Sequence, residues 1–238
     1  MYSQDEEETQ STAEDGAHWI SVSDLMAALM MVFLLLSVIF MVIVQKESQK
    51  IKEVAELYID LRENLYQDLL KEFEKDLPRW GAELKKDLSL QFYNTDILFE
   101  VGSAELKSSF KLILQDFFPR YTKIITSDAY RNEIAEVRIE GHTSSDWTNA
   151  VNEDEAYINN MRLSQARTRS TLAYLLSLQA VFNQKIWLLD HVTANGLSSS
   201  KLILDTQGQE DSERSRRVEF RLRTDADARI RAILERGT

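Results

Sequence analysis

Hydrophobic and polar positions follow three different rhythms along this chain. From Val22 to Val44 the sequence reads VSDLMAALMMVFLLLSVIFMVIV, 23 residues with one formal charge. A helix of that length rises about 34 Å at about 1.5 Å per residue, enough to cross a bilayer core of about 30 Å. A secretory leader needs a basic start, a shorter apolar core and a small-residue cleavage site; this start is acidic and the run is long, so a retained anchor is expected over residues 19–44. Trp19 suits the interfacial aromatic belt.

Residues 45–88 change to a charged stretch with Ile51, Val54, Tyr58, Leu61 and Leu65 at spacings of three and four. That spacing is the seam of a coiled coil. Asp68 takes the next seam position, while Leu69, Leu70, Phe73 and Leu77 keep an apolar stripe on a drifting face. A parallel dimeric coiled coil is the favoured reading of this linker; a lone amphipathic helix packed on its own domain is the alternative. Pro78 and Gly81 end or kink the helix.

From residue 89 to 224 short apolar runs alternate with helical stretches. The pattern predicts strands over 90–99, 134–140, 187–194 and 216–222, and helices over 106–126 and 160–182. Such alternation argues for a mixed α/β (α+β) domain with helices on one face of a sheet. A final short helix is expected from Asp225 through the tail at 225–238.

Charge sharpens this division. Residues 1–18 carry six acids and no base, and residues 19–44 add only Asp24; those seven acids leave −4 of the net −11 to the remaining chain, which holds all 28 Lys and Arg. No segment has the basic excess that phosphate neutralisation requires, so direct nucleic-acid binding is not expected. Cysteine is absent, which excludes disulfides and thiolate metal sites. There is no nucleophile with an ordered base, no Gly-rich phosphate loop and no paired metal-ligand spacing, so an enzyme is not expected. His142 and His191 lack an i, i+4 partner and read as structural rather than metal ligands.

Asp24 is the chemical centre of the apolar run. A carboxylate there costs on the order of 2.5 to 3.5 kcal/mol on insertion scales, which calls for a purpose or a partner. One reading is a helix-start cap or a headgroup contact, for which Ser21, Ser23 and Asp24 are suitable residue types. The other is an ion carrier, neutral inside the membrane and ionised when a path to water opens. Ala27 and Ala28 lie three and four positions on, and Ser21 three before, so one face offers a carboxyl, a hydroxyl and a groove flat enough for a neighbouring helix.

The segment HWISVSDLMAALMMVFLLLSVIF resembles the single transmembrane helix of MotB-type stator subunits, and is most similar to the ZorB family of Zorya anti-phage defence systems. The acidic tail also sets it apart from MotB proteins, which usually begin with a basic one. The resemblance implies that Asp24 is a proton or sodium site, with Ser21 and Ser23 as helpers. It also implies a dimer of this chain inside a pentameric ring of a multi-span MotA/ZorA-like subunit. No cofactor is implied beyond the transported H+ or Na+.

Three further stretches resemble the OmpA-like peptidoglycan-binding domain: ILFEVGSAELKSS, then VRIEGHT with NNMRLSQARTRSTLAYLL, then SRRVEFRL with Ser215 where asparagine is common. Asn160, Leu163 and Arg167 are spaced to share one helix face. A guanidinium fork holds a carboxylate by two parallel hydrogen bonds, and asparagine satisfies amides, which suits the diaminopimelate end of a wall peptide. In the family that arginine works with an aspartate after Gly-His-Thr. Here the position is Ser144, so Asp146 is the candidate replacement, with Asn159 a further candidate and a long acidic loop expected over 145–159. The alternative for Arg167 is a solvated surface pair with Glu155.

Orientation pulls two ways. Lys46, Lys50 and Lys52 follow the span, which by the positive-inside rule would keep the C-terminal part in the cytoplasm. The resemblance implies the opposite: a bacterial inner-membrane, single-pass protein with the acidic tail cytoplasmic and the C-terminal domain periplasmic, on the peptidoglycan.

Overall fold

The computed structural model describes residues 4–93, 95–100 and 102–225. Contacts divide the chain between Glu56 and Leu57. The first unit is helical: α1 runs Gln4–Phe73, and its part up to Glu56 makes up this unit. Within it, Ser23–Gln49 has a mean hydropathy of 3.1 and is the one helix among the described residues long and apolar enough to cross a membrane. Its large apolar side chains, from Leu25 to Val44, are all exposed, the arrangement that suits a helix able to cross a membrane.

The second unit is built around a five-stranded sheet of order β1-β2-β5-β3-β4, comprising β1 (Ala82–Leu84), β2 (Ser89–Tyr93), β3 (Ile134–His142), β4 (Val192–Gly196) and β5 (Arg217–Thr224). All pairs are antiparallel except β3 with β4. That parallel pair needs a crossover, supplied by α5 (Glu153–Ser177), a 3-10 turn (Gln179–Gln184) and α6 (Lys185–His191). The other helices are the short α2 (Leu77–Trp80) and α3 (Thr95–Leu98), α4 (Ser108–Ile125) and α7 (Ser212–Ser215).

Period-two alternation gives the sheet two unlike faces. Leu90, Phe92, Val137, Ile139, Val218, Phe220 and Leu222 point into the core. Phe110, Leu114, Phe117, Phe118 and Tyr121, at helical spacing on α4, cover them. Phe117 is the hub, with ring centroids 5.1 Å from Phe220, 5.3 Å from Phe92 and 5.4 Å from Phe73. The opposite face is polar: Gln91, Glu140, His142, Arg217, Glu219 and Arg221 form one buried or half-buried network.

The apolar stripe of the linker is where expectation and structure part. Leu65, Leu69, Phe73, Leu77 and Trp80 belong to the core of the second unit, so from residue 57 onward the stripe packs on its own domain and these side chains are not available to a dimer seam. Polar ties fix the same segment: Arg120 Nε donates to Glu72 at 2.7 Å, its Nη1 to Asp76 at 2.9 Å, and Tyr130 Oη to Asp68 at 2.6 Å. The folded unit therefore begins well before residue 89, and includes a strand, β1, too short to show as a pattern. The side chain of Val54 lies outside the described residues.

Three element boundaries also differ. The run expected as a strand over 90–99 splits into β2 and α3. The helix expected from Asn160 starts at Glu153 because Asn152 Oδ1 accepts from the Glu155 amide at 2.8 Å, an N-cap. This shortens the expected 145–159 loop. Residues 187–191, expected as strand, are the end of α6; there Trp187 and His191, one helical turn apart, stack at 4.2 Å with rings 8° from parallel. Only Val192–Gly196 pairs with β3. The helix expected beyond Asp225 lies outside the described residues.

Candidate functional site

Two sites follow from the sequence, one in each unit. On the first, Ser23 and Asp24 lie exposed on α1 within the apolar stretch, and Ala27 and Ala28 are exposed as well. The side chains of Ser21 and Trp19 lie outside the described residues.

The second site is set by how closely α5 approaches the sheet. Gly141 and Gly196 are partners across β3 and β4. A Cβ on Gly141 would stand 2.9 Å from the Ser164 carbonyl oxygen, and one on Gly196 2.3 Å from the Gln165 amide nitrogen. Only glycine leaves that room. Ser164 Oγ accepts from the Ser198 amide at 3.1 Å and Ser198 Oγ donates to the Tyr157 carbonyl at 2.7 Å, so the loop after β4 is stitched to the same helix. The Thr143 amide donates to the Ser198 carbonyl at 3.0 Å, which fixes the Gly-His-Thr turn beside α5.

The result is a 530 Å³ cavity between that turn and the helix, whose walls include Phe99, Ser144, Asp146, Trp147, Asn160, Leu163, Arg167 and Arg216. Asn160 is buried and its Nδ2 donates to the carbonyls of Ser144 and Asp146 at 3.2 and 3.1 Å, so it orders the loop that forms the opposite wall. Arg167, 8% exposed, donates from Nε to the Ser103 carbonyl at 2.9 Å and sits 4.8 Å over the Phe99 ring. Held from the side in this way, its guanidinium is oriented in advance. It is not a surface residue paired with Glu155, whose carboxylate accepts from the Val151 amide and completes the helix cap.

The structure thus brings Asn160, Leu163, Arg167, Ser144 and Asp146 around one cavity. Asn159 stands apart, its Oδ1 accepting from Arg162 at 3.4 Å. Arg216 and Trp147 complete the lining; Arg216 was not singled out from the sequence, where SRRVEFRL reads as a strand and its first arginine as one charge among several.

Behind the turn, His142 Nε2 lies 3.5 Å from Glu219 and 3.8 Å from Glu140, and these three residues are the one His/carboxylate group among the described residues compact enough to hold a metal ion. Arg217 and Arg221 already neutralise the carboxylates, at 3.3 Å to Glu219 and 3.4 Å to Glu140. The donor set therefore suits an ion-pair network better than a divalent cation, which would leave a surplus of positive charge. Burial holds the His142 imidazole below its ordinary pKa, helped by Arg217 and opposed by the two glutamates. Burial would push Glu140 up, but the His142 contact, Arg221 and Arg138 hold it below the usual carboxylate range.

Comparison with known proteins settles the family. The chain is 49% identical over 223 residues to the Zorya protein ZorB of Escherichia coli, a match covering 93% of this chain and 94% of that one. The chain belongs to the ZorB family. No family model matches the sequence. Among solved structures, a putative MotB-like protein from Desulfovibrio vulgaris aligns with a TM-score of 0.50 at 21% identity, covering 71% of this chain and 94% of that one. The cell wall anchor of the type VI secretion system from Pseudomonas aeruginosa aligns at 0.45 and 20% identity, covering 66% and 96%. The MotB-like likeness agrees with the mixed α/β fold of the second unit. This ZorB-family chain, with one apolar helix ahead of that domain, fits a single-pass membrane protein.

Proposed function

We propose that this chain is the ion-driven, wall-anchored stator subunit of a Zorya-type anti-phage complex in the bacterial inner membrane. The observation that carries the reading is the joint presence, in one ZorB-family chain, of Asp24, the one carboxylate of the apolar run 22–44, on a helix of membrane-spanning length and a guanidinium-lined pocket on a separate folded unit. The acidic tail lies in the cytoplasm and the pocket in the periplasm, against peptidoglycan.

Asp24 takes up an ion from the periplasmic side, loses its charge, and can then face the interior of a ring formed by a multi-span MotA/ZorA-like subunit, five copies around two of this chain. Release of the ion inward restores the carboxylate. Each elementary charge crossing the membrane releases about 2.3 kcal/mol per 100 mV, so a few ions suffice for a conformational step. The favoured ion is H+, since Na+ needs several oxygen ligands and the helix face offers only Asp24 and serines. The pocket supplies the fixed point: Arg167 pairs with a peptide carboxylate, Asn160 orders the Ser144–Asp146 wall, and Leu163 and Phe99 give apolar contact.

The test is phage protection in cells carrying the complete system, together with co-sedimentation of the full-length chain with purified sacculi. Asp24→Asn should lose protection while membrane insertion and sedimentation persist. Arg167→Ala should lose both protection and sedimentation. Full protection by Asp24→Asn would leave a passive envelope tether as the reading; gene neighbours of the flagellar rather than the defence kind would favour a MotB-type stator.

A further inference from the structure

The segment that leads into β4 is apolar on two sides. Gln179–Gln184 is a 3-10 turn that runs directly into α6, Lys185–His191. Val181 and Leu188 belong to the core, whereas Phe182, Ile186 and Leu189 are 70, 80 and 61% exposed. Spacings of four and three put these three on one outer face, rimmed by the exposed Asn183, Lys185 and Asp190. Exposed apolar residues scattered singly need no explanation, but a group of them with a polar rim marks a docking surface.

Topology shows which end of the second unit carries this patch. β4 follows α6 at once and runs parallel to β3, with Val192 beside Val137 and Gly196 beside Gly141. The patch therefore lies at the starting end of β3, where Trp187 Nε1 donates to the Arg131 carbonyl at 3.3 Å. The arginine-lined cavity lies at the other end, beyond His142. The nine residues of β3 hold the two ends about 26 Å apart. The chain enters this unit at the patch end: the last part of α1 runs antiparallel to α4, with Glu72 on Arg120 and Asp68 on Tyr130, just ahead of β3.

These placements favour a lipid surface over a protein as the occupant. The apolar stretch of α1 ends at Gln49, and the chain from there to Leu57 reaches at most about 28 Å even fully extended. The surface of any bilayer that this chain crosses is thus within reach of the entry end, and a tethered surface needs little intrinsic affinity to be occupied. Three side chains supply a few hundred Å² of apolar area, short of the roughly 800 Å² per partner of a standard protein interface. Bulky apolar residues beside a lysine are what an interfacial helix sinks into the headgroup boundary.

We propose that Phe182, Ile186 and Leu189 dock the second unit on the surface of the membrane that the same chain crosses, with their side chains at the boundary of headgroups and acyl chains. Docking at this end points the arginine-lined cavity away from the bilayer. The inference rests on the membrane span and is independent of ion carriage and of wall binding.

The experiment is site-directed spin labelling of the full-length chain in nanodiscs of phosphatidylethanolamine and phosphatidylglycerol. The chain has no cysteine, so one introduced cysteine carries one nitroxide. Phe33→Cys, on the apolar stretch, sets the value for lipid contact, and Val151→Cys, 87% exposed near the cavity end, sets the value for water. The label of Ile186→Cys should show about fivefold or lower accessibility to water-soluble Ni-EDDA than that of Val151→Cys, with oxygen accessibility raised toward the Phe33→Cys value. Adding Phe182→Asp and Leu189→Asp should return Ni-EDDA accessibility to within about twofold of the water value, and unchanged thermal unfolding of that variant certifies the fold. An Ile186→Cys label as open to Ni-EDDA as that of Val151→Cys overturns the proposal, as does lipid contact that survives the two aspartates. A label shielded from both reagents also overturns it and assigns the patch to a second copy or another protein. Absence of lipid contact at Phe33→Cys removes the membrane span and this inference with it.

Discussion

The two units of this chain solve opposite solvent problems with similar amino acids. In the first, Phe33, Leu34, Leu35 and Phe40 are exposed, and Asp24 is the one acid of the apolar run 22–44. In the second, Phe92, Phe110, Phe117 and Phe220 are buried, and charges such as Glu219 and Arg217 are buried beside one another. A side chain's role therefore follows from the surroundings its unit gives it rather than from its own type: a phenylalanine is a surface group on α1 and a keystone in the second unit, while an acid stands exposed on one and is a bound partner in the other.

The sharpest break of this comparison is a matched pair of truncations. Phe117→Ala removes the ring at the centre of the aromatic cluster and is expected to cost about 3 to 5 kcal/mol in denaturant unfolding of the second unit. Phe33→Ala, an exposed ring on α1, should leave that transition unchanged. Equal effects from the two would remove the distinction between the units.

A smaller effect is expected where backbone meets backbone. Gly196→Ala places a methyl group against the Gln165 amide, and overpacking of this kind costs about 1 to 3 kcal/mol. The loss should appear in the melting temperature together with weaker sedimentation on sacculi, because α5 carries both the packing and the pocket.

Acid should act more gently and only on the second unit. The folded pKa of His142 lies below its reference of 6.5, so the unfolded chain binds that proton first. The stability associated with the neutral imidazole is complete above about pH 6.5 and is lost as pH falls below it toward the folded value. Glu140, also depressed below its reference of 4.5, contributes stability that is lost at lower pH still, as it falls through the folded value. Melting temperature measured from pH 7.5 to 5 should decline, and His142→Gln should flatten the upper part of that decline. Smallest of all, Asn159→Ala should leave sacculus binding unchanged, since Asn159 stands off the cavity.

Much of the pocket was legible because its residues lie on one helix at spacings of three and four, and the Gly-His-Thr turn marks the strand end that faces them. Arg216 escaped notice because its relevance depends on a tertiary neighbour: its sequence context is a run of charges, and only the fold places it in the wall of the cavity. The strand expected at 187–194 failed for a different reason. A short apolar run such as Trp187-Leu188-Leu189 satisfies either period, and length alone cannot choose. The linker was ambiguous in kind, because the stripe that forms a coiled-coil seam is the same stripe that packs against a domain. The core of the second unit had room for Leu65, Leu69 and Phe73, and no local pattern reports that.

That same packing bears on how the molecule carries load. Tension entering the domain at Leu57 meets no slack peptide first, since the rest of α1 is gripped by interdigitated rings and by the Arg120 and Tyr130 hydrogen bonds. Pulling must shear an entire hydrophobic contact at once before it reaches the sheet, which makes the entry to this domain a stiff coupling rather than a spring.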